Sequence, residues 1–153
     1  MGFYQFRHKQ FIPADLDQVW EFISNPANLS KITPGSMGFK ITSLPVEKMY
    51  AGRIISYMVK PLFNLPTTWV TEITHVKEKH YFVDEQRIGP YKMWHHEHFL
   101  TAAPGGVDMT DIISYQPPFG ILGSIANGLI IKRKLRQIFD FRRAALKTIF
   151  AQK

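Results

Sequence analysis

The sequence predicts an α+β fold in which a curved, seven-stranded antiparallel sheet wraps around one long C-terminal helix. Three observations carry the prediction. Six successive segments between residues 37 and 116 alternate apolar and polar positions with the period of a strand. From about Gly120 to Ala151 the apolar period lengthens to that of a helix. The segments are separated by Leu44-Pro45, Pro61 to Pro66, Gly89-Pro90, Pro104-Gly105-Gly106 and Pro117-Pro118, all turn-forming combinations.

The elements follow in order. Phe3 to Ile12 mixes aromatic and aliphatic residues with polar ones and is closed by Pro13, which marks a first strand. Asp15 can cap a short helix whose apolar positions, Leu16, Val19, Trp20 and Ile23, keep helical spacing. Asn25-Pro26 interrupts it, and Pro26 to Ile32 reads as a second short helix with proline near its start. Met37, Phe39 and Ile41 then alternate with Gly38, Lys40 and Thr42 as a strand. Gly52 to Lys60, Thr67 to Val76, His80 to Ile88, Tyr91 to Ala102 and Val107 to Gln116 continue the series. Short connections make this run an antiparallel meander, whose apolar concave face only the C-terminal helix is long enough to cover.

On a helical wheel Ile131, Leu135, Ile138, Phe139, Ala145, Leu146 and Phe150 share one side, while Lys132, Arg133, Arg136, Arg143 and Lys147 share the other. The helix is therefore expected to lie on the sheet and show a basic face to water. Arg142 breaks the pattern, because its position falls inside the apolar stripe.

At 153 residues the chain is expected to form one domain spanning its whole length. The absence of cysteine excludes disulfides, thiolate metal sites and a cysteine nucleophile. Met1 to Gln10 has no apolar run of signal-peptide length. The apolar stretch from Phe119 to Ile131 is broken by Gly120, Gly123, Ser124, Asn127 and Gly128, too often for a membrane span. A cytoplasmic location is the expectation. The net charge of +7 is concentrated in the last helix, where Asp140 alone opposes Lys132, Arg133, Lys134, Arg136, Arg142, Arg143 and Lys147. Aromatic residues do not interleave with that charge, which argues against nucleic acid. Peripheral contact with an anionic membrane remains compatible with it, and no protein partner is indicated.

The run Trp94-His95-His96-Glu97-His98 makes the strand register important. If the Pro104-Gly105-Gly106 segment forms a two-residue turn, Trp94, His96, His98 and Leu100 share a face with Met109, Asp111, Ile113 and Tyr115. That face is the more apolar and belongs on the concave side; a three-residue turn would reverse the pairing. On the favoured register Asp111 lies opposite His98 or one position away, and Arg142 can approach from the helix. A buried carboxylate needs a partner, which either a charged histidine or Arg142 would supply.

Three readings of His96, His98, Asp111 and Arg142 stay open. They can form a satisfied polar network, orient a ligand in a mostly apolar pocket, or carry catalysis or a metal. The metal signal is weak, since two histidines two residues apart on a strand bring no further ligand fixed by spacing. Proton transfer by His98 with Asp111 orienting it is chemically sound, but no nucleophile is marked by motif. Trp69 and Phe82 can also line the pocket, and the face of Gln86 depends on the Gly89-Pro90 turn. Leu62, Phe63 and Leu65, between Pro61 and Pro66, form an apolar loop suited to the pocket mouth.

The combination of residues also resembles a known superfamily. Val19-Trp20-Glu21-Phe22, Asn25-Pro26-Ala27-Asn28-Leu29 and Ile32-Thr33-Pro34 are similar to the N-terminal signature of SRPBCC (START/Bet v 1-like) ligand-binding proteins. Gly89-Pro90-Tyr91, Trp94-x-His96-x-His98, Asp111-x-x-x-Tyr115 and Ile138-Phe139-Asp140-Phe141-Arg142 resemble its middle and C-terminal parts. The resemblance spans nearly the whole chain. It implies the helix-grip fold with a deep cavity, among relatives that include polyketide cyclases and aromatases, lipid-transfer domains and proteins labelled cell-division inhibitors. It implies no particular reaction.

The function expected from the sequence is binding of a small hydrophobic ligand, lipid-like or aromatic. Trp69, Gln86, Trp94, His96, His98, Asp111, Tyr115 and Arg142 are the expected contacts, with no cofactor and no metal. The alternatives are a cyclase, aromatase or dehydratase using His98 and Asp111, and a membrane- or protein-interaction module using the basic helix.

Overall fold

The computed structural model describes residues 2–45, 48–61 and 64–151. Strand β1 (Tyr4–Ile12) leads into helix α1 (Leu16–Ile23). Asp15 stands at the N-cap, but its side chain makes no capping hydrogen bond; Asp17 supplies the acidic first turn that suits the helix dipole. Pro26–Ile32 is a 3-10 helix rather than an α-helix, capped by the Asn25 side chain, which accepts from the Ala27 backbone N–H at 3.0 Å.

The strand expected over Met37, Phe39 and Ile41 shrinks to β2 (Lys40–Ile41). Gly35–Met37 is a 3-10 turn, closed by Gly38 at φ 55°, a left-handed conformation that an extended strand cannot contain. The remaining strands are β3 (Arg53–Val59), β4 (Thr67–Lys77), β5 (Tyr81–Ile88), β6 (Met93–Ala103) and β7 (Gly106–Gln116).

Among the described residues the strands form one antiparallel sheet of seven, in the order β1-β7-β6-β5-β4-β3-β2. The meander is as the turn chemistry predicts, and β1 closes it by pairing with β7. Pro104-Gly105 is a two-residue connection with Gly105 at φ 79°, so His98 lies directly opposite Asp111 and Trp94 opposite Tyr115. The register of β4 against β5 shifts twice, between Val70 and Thr71 and between Ile73 and His75. The second shift changes the inward positions of β4 from Trp69, Thr71 and Ile73 to Val76, and such irregularities bend a strand.

The C-terminal element is helical throughout but not uniform. Helix α2 (Gly120–Ala126) passes through a π-helical turn, Asn127–Ile131, into α3 (Lys132–Ala151). A side chain at Gly123 would overlap the Pro118 carbonyl oxygen, so glycine permits the close approach of α2 to the preceding turn. The Tyr115 hydroxyl donates to Asn127 Oδ1 at 2.6 Å, tying the π turn to β7. Leu135, Phe139, Arg142, Leu146 and Phe150 are the buried face of α3, as the wheel predicts, Arg142 included.

The core among the described residues falls into two clusters. One gathers Ile12, Val19, Trp20, Val107, Met109, Leu146 and Phe150 where α1 meets the sheet. The other joins Ile113 and Tyr115 to Ile131, Leu135 and Phe139 of the C-terminal element. No helix among the described residues is long and apolar enough to cross a membrane.

Candidate functional site

Between the concave sheet face, the Pro26–Ile32 turn and α3 lies a cavity of about 190 Å³. Its apolar wall includes Ile55, Val59, Ile73, Met109, Ile113 and Leu135. An aromatic bank completes one side. Trp69 stacks on Tyr57 with centroids 6.1 Å apart and meets Trp94 edge-on at 5.2 Å, and Tyr91 packs against both tryptophans. These rings owe their places to strand alternation, which sends Trp69 on β4 and Trp94 on β6 to the same face.

The polar part of the wall comes from three adjacent strands and the helix. Asp111 on β7 is fully buried, and its Oδ1 accepts from His96 Nε2 at 2.9 Å and from His98 Nδ1 at 3.1 Å. An ionised carboxylate can only accept, so both imidazoles carry their protons on those nitrogens. The opposite ring nitrogens face Asp84 on β5. His98 Nε2 is 2.7 Å and His96 Nδ1 3.8 Å from Asp84 Oδ2. The Thr71 hydroxyl lies 3.4 Å from Asp84 Oδ1. Phe82 stacks on His98 at 4.0 Å, and the two imidazole centroids are 3.6 Å apart, so the cluster is tightly packed. Asp84, His96 and His98 each present one ligand atom within 4.8 Å of the others, a spacing that suits a metal ion.

Electrostatics divide the histidines. For His98, burial alone lowers the pKa, but hydrogen bonds and charge from Asp111 and Asp84 outweigh it and raise it above its ordinary 6.5. For His96, burial and the neighbouring His98 lower it below 6.5 despite the bond to Asp111. The two carboxylates therefore favour the charged form of His98 more than that of His96. Burial pushes both carboxyls up, yet the histidines reverse this and hold Asp84 and Asp111 below the ordinary carboxylate range. Arg142 is buried with its guanidinium 4.8 Å from the Phe139 ring centroid. Burial lowers its pKa from the ordinary value, opposed by Asp111 and Asp84. Two carboxylates thus face two imidazoles and one guanidinium in the same cavity wall.

Three buried polar atoms of this wall have no hydrogen-bond partner among the described residues: Trp69 Nε1, Asp111 Oδ2 and Arg142 Nε. Unpartnered buried donors and acceptors are rare enough in folded proteins to require an explanation.

Of the residues singled out in the sequence, Trp69, Trp94, His96, His98, Asp111 and Arg142 line the cavity, as does Phe82. Gln86 and Tyr115 do not. Gln86 is turned onto the following turn, where its amide donates to the Tyr91 carbonyl at 2.7 Å and accepts from the Tyr91 N–H at 3.2 Å. Tyr115 is buried behind Trp94 with its hydroxyl committed to Asn127, and burial pushes its pKa up to about 12. The partner of Asp111 is the histidine pair, while Arg142 forms no ion pair with either carboxylate among the described residues. Leu62 and Phe63 lie outside the described residues; Leu65 is exposed and Pro61 lines the cavity.

Asp84 is the residue that sequence reasoning missed. The signal was present, because the strand parity that turns Phe82 inward places Asp84 two positions further on the same face.

A strongly curved antiparallel sheet gripping a long C-terminal helix, with two short helical segments after the first strand, defines the Bet v 1-like helix-grip fold. Solved structures show the likeness directly. The protein CV1439 from Chromobacterium violaceum superposes with a TM-score of 0.74 at 11% identity, covering 95% of this chain and 96% of that one. TTHA0849 from Thermus thermophilus gives 0.69 at 13% identity, covering 95% of each chain. Ara h 8.0201, a Bet v 1 allergen, gives 0.63 at 13% identity over 95% of this chain and 98% of its own. At such identities the likeness is one of fold. No family model and no curated protein sequence matches the chain.

Proposed function

We propose that this protein binds a small, largely apolar ligand, a single-ring aromatic or a short acyl chain bearing an acceptor oxygen. The observation that carries the reading is the cavity of about 190 Å³, walled mainly by apolar and aromatic side chains with Arg142 and the histidine–aspartate cluster among them. An apolar cavity of ~150 Å³ accommodates benzene, so the space favours one ring over a whole phospholipid. Apolar wall contact supplies affinity, and the polar side chains that line the cavity, Arg142 first among the donors, orient the ligand through its oxygen. The resemblance of the sequence motifs to START/Bet v 1-like ligand binders points the same way. Proton transfer by His98 is disfavoured, since both of its ring nitrogens already engage carboxylates.

The test is native mass spectrometry of protein from its own host, followed by titration of the captured molecule against tryptophan fluorescence. Ile73→Phe, which projects a ring into the cavity from a buried position, is expected to weaken binding at least tenfold while leaving the circular dichroism unchanged. Undiminished affinity in that variant would place the ligand elsewhere.

A second reading rests on α2 and the following turn, where Phe119, Ile121, Leu122, Ile125 and Leu129 are 82, 78, 72, 55 and 72% exposed. Exposed Lys132, Arg133 and Arg136 follow directly. An apolar ridge flanked by basic residues matches the surface of an anionic bilayer. Sedimentation with phosphatidylserine-containing vesicles is expected, and Ile121→Asp/Leu122→Asp should abolish it. Equal sedimentation of that variant would remove the reading.

A further inference from the structure

We infer that Asp84, His96 and His98 form a binding site for a divalent transition-metal ion, with Asp111 as the buried group that orients both histidines. The argument starts from where the ring nitrogens point. Asp111 Oδ1 takes an N–H from each imidazole, at 2.9 Å from His96 Nε2 and 3.1 Å from His98 Nδ1. This fixes both tautomers and both ring orientations. It leaves His96 Nδ1 and His98 Nε2 directed at one carboxylate oxygen of Asp84, 3.8 and 2.7 Å away.

A metal ion that displaces the proton shared by His98 Nε2 and Asp84 would meet two ring lone pairs and an anionic oxygen at one point. A proton on His98 Nε2 satisfies one contact only and leaves His96 Nδ1 facing the carboxylate. A metal ion satisfies all three. With bonds of ~2.0–2.2 Å, ligand atoms around a tetrahedral ion stand ~3.4 Å apart, and the three atoms here lie within 4.8 Å of one another. Side-chain shifts of about an ångström bring them to that spacing.

The surroundings fit as well. Metal-binding histidines characteristically donate their second ring N–H to a carboxylate, and here one fully buried carboxylate serves both. The Thr71 hydroxyl stands beside the third ligand, 3.4 Å from Asp84 Oδ1 and 3.0 Å from the Glu85 carbonyl oxygen. Two histidines and one carboxylate are a ligand set for zinc and non-haem iron, and all three side chains line the cavity, so the remaining coordination positions face its interior. The inference is independent of the organic ligand proposed above, because it concerns the protein and the ion alone.

Cobalt(II) is the probe. Protein stripped with chelator and titrated with Co²⁺ is expected to develop d–d absorption that saturates at one equivalent and is displaced by Zn²⁺. In ¹H–¹⁵N spectra of the imidazoles, Zn²⁺ should move His96 Nδ1 and His98 Nε2 above all other histidine nitrogens. Asp84→Asn and the double variant His96→Gln/His98→Gln should lose at least tenfold in affinity, and Asp111→Asn about 10–100-fold. His75→Ala, on the exposed part of β4, should bind as before. Absence of saturable absorption in the wild-type protein overturns the inference. So does movement of other histidine nitrogens in their place, a result that stands even if a variant fails to fold.

Discussion

Replacing Asp111 by alanine is expected to destabilise the protein by about 3–5 kcal/mol, the range for breaking a buried ion pair by removing one partner. Asp111 is fully buried and its Oδ1 accepts from both His96 and His98. Without it, two buried N–H groups lose their acceptor. His98 keeps only Asp84, and the buried Arg142 guanidinium loses Asp111, the larger of the two carboxylate charges that compensate it. Urea unfolding followed by circular dichroism measures the loss as a lower midpoint at constant slope. The effect should depend on pH. The Asp111 carboxyl is held below its ordinary 3.8, so its contribution is fully present above that value and declines as pH falls through the folded-state value. The gap between wild type and variant therefore narrows in acid. A loss under about 1 kcal/mol at neutral pH would mean that the histidines find other partners.

Phe139→Ala is expected to cost a further comparable amount, about 3–5 kcal/mol. Phe139 is 2% exposed at the centre of the cluster formed by Ile113, Tyr115, Ile131 and Leu135. Its ring lies 5.2 Å from Phe6 and 6.0 Å from His96, and it carries the Arg142 guanidinium at 4.8 Å. Truncation thus leaves a void beside the existing cavity and strips a buried cation of the π face that partly replaces its hydration. The same unfolding measurement decides the matter. Retention of more than about two thirds of this energy loss in Phe139→Leu would show that the ring face, not the volume, matters.

The cavity wall was legible in the sequence wherever it depends on local chemistry. Pro104-Gly105 is a two-residue turn, and that alone sets His98 opposite Asp111 and puts Trp94, His96 and His98 on one face. Arg142 could be placed inside because helical spacing puts it between Phe139 and Leu146, both buried. The same reasoning failed for Gln86, whose parity is right but whose amide fits the backbone of Tyr91 better than the cavity. It failed for Met37, where one glycine at positive φ ended the extended conformation. Asp84 lay within reach of the parity rule, yet its role comes from β6 and β7, the neighbouring strands that bring the histidines and Asp111 to it.

What the chain determined by itself is therefore the order of the main strands and helices and the inward face of β6, β7 and α3, because alternation, helical spacing and turn residues act over a few neighbouring positions. The tertiary structure decided the placement of β1 beside β7, the register shifts at Thr71 and Ile73, the π turn locked by Tyr115 and Asn127, and the meeting of Asp84 with both histidines. Each of these depends on contact between segments far apart in the chain. Periodicity states which way a side chain faces, and only packing states what it meets there.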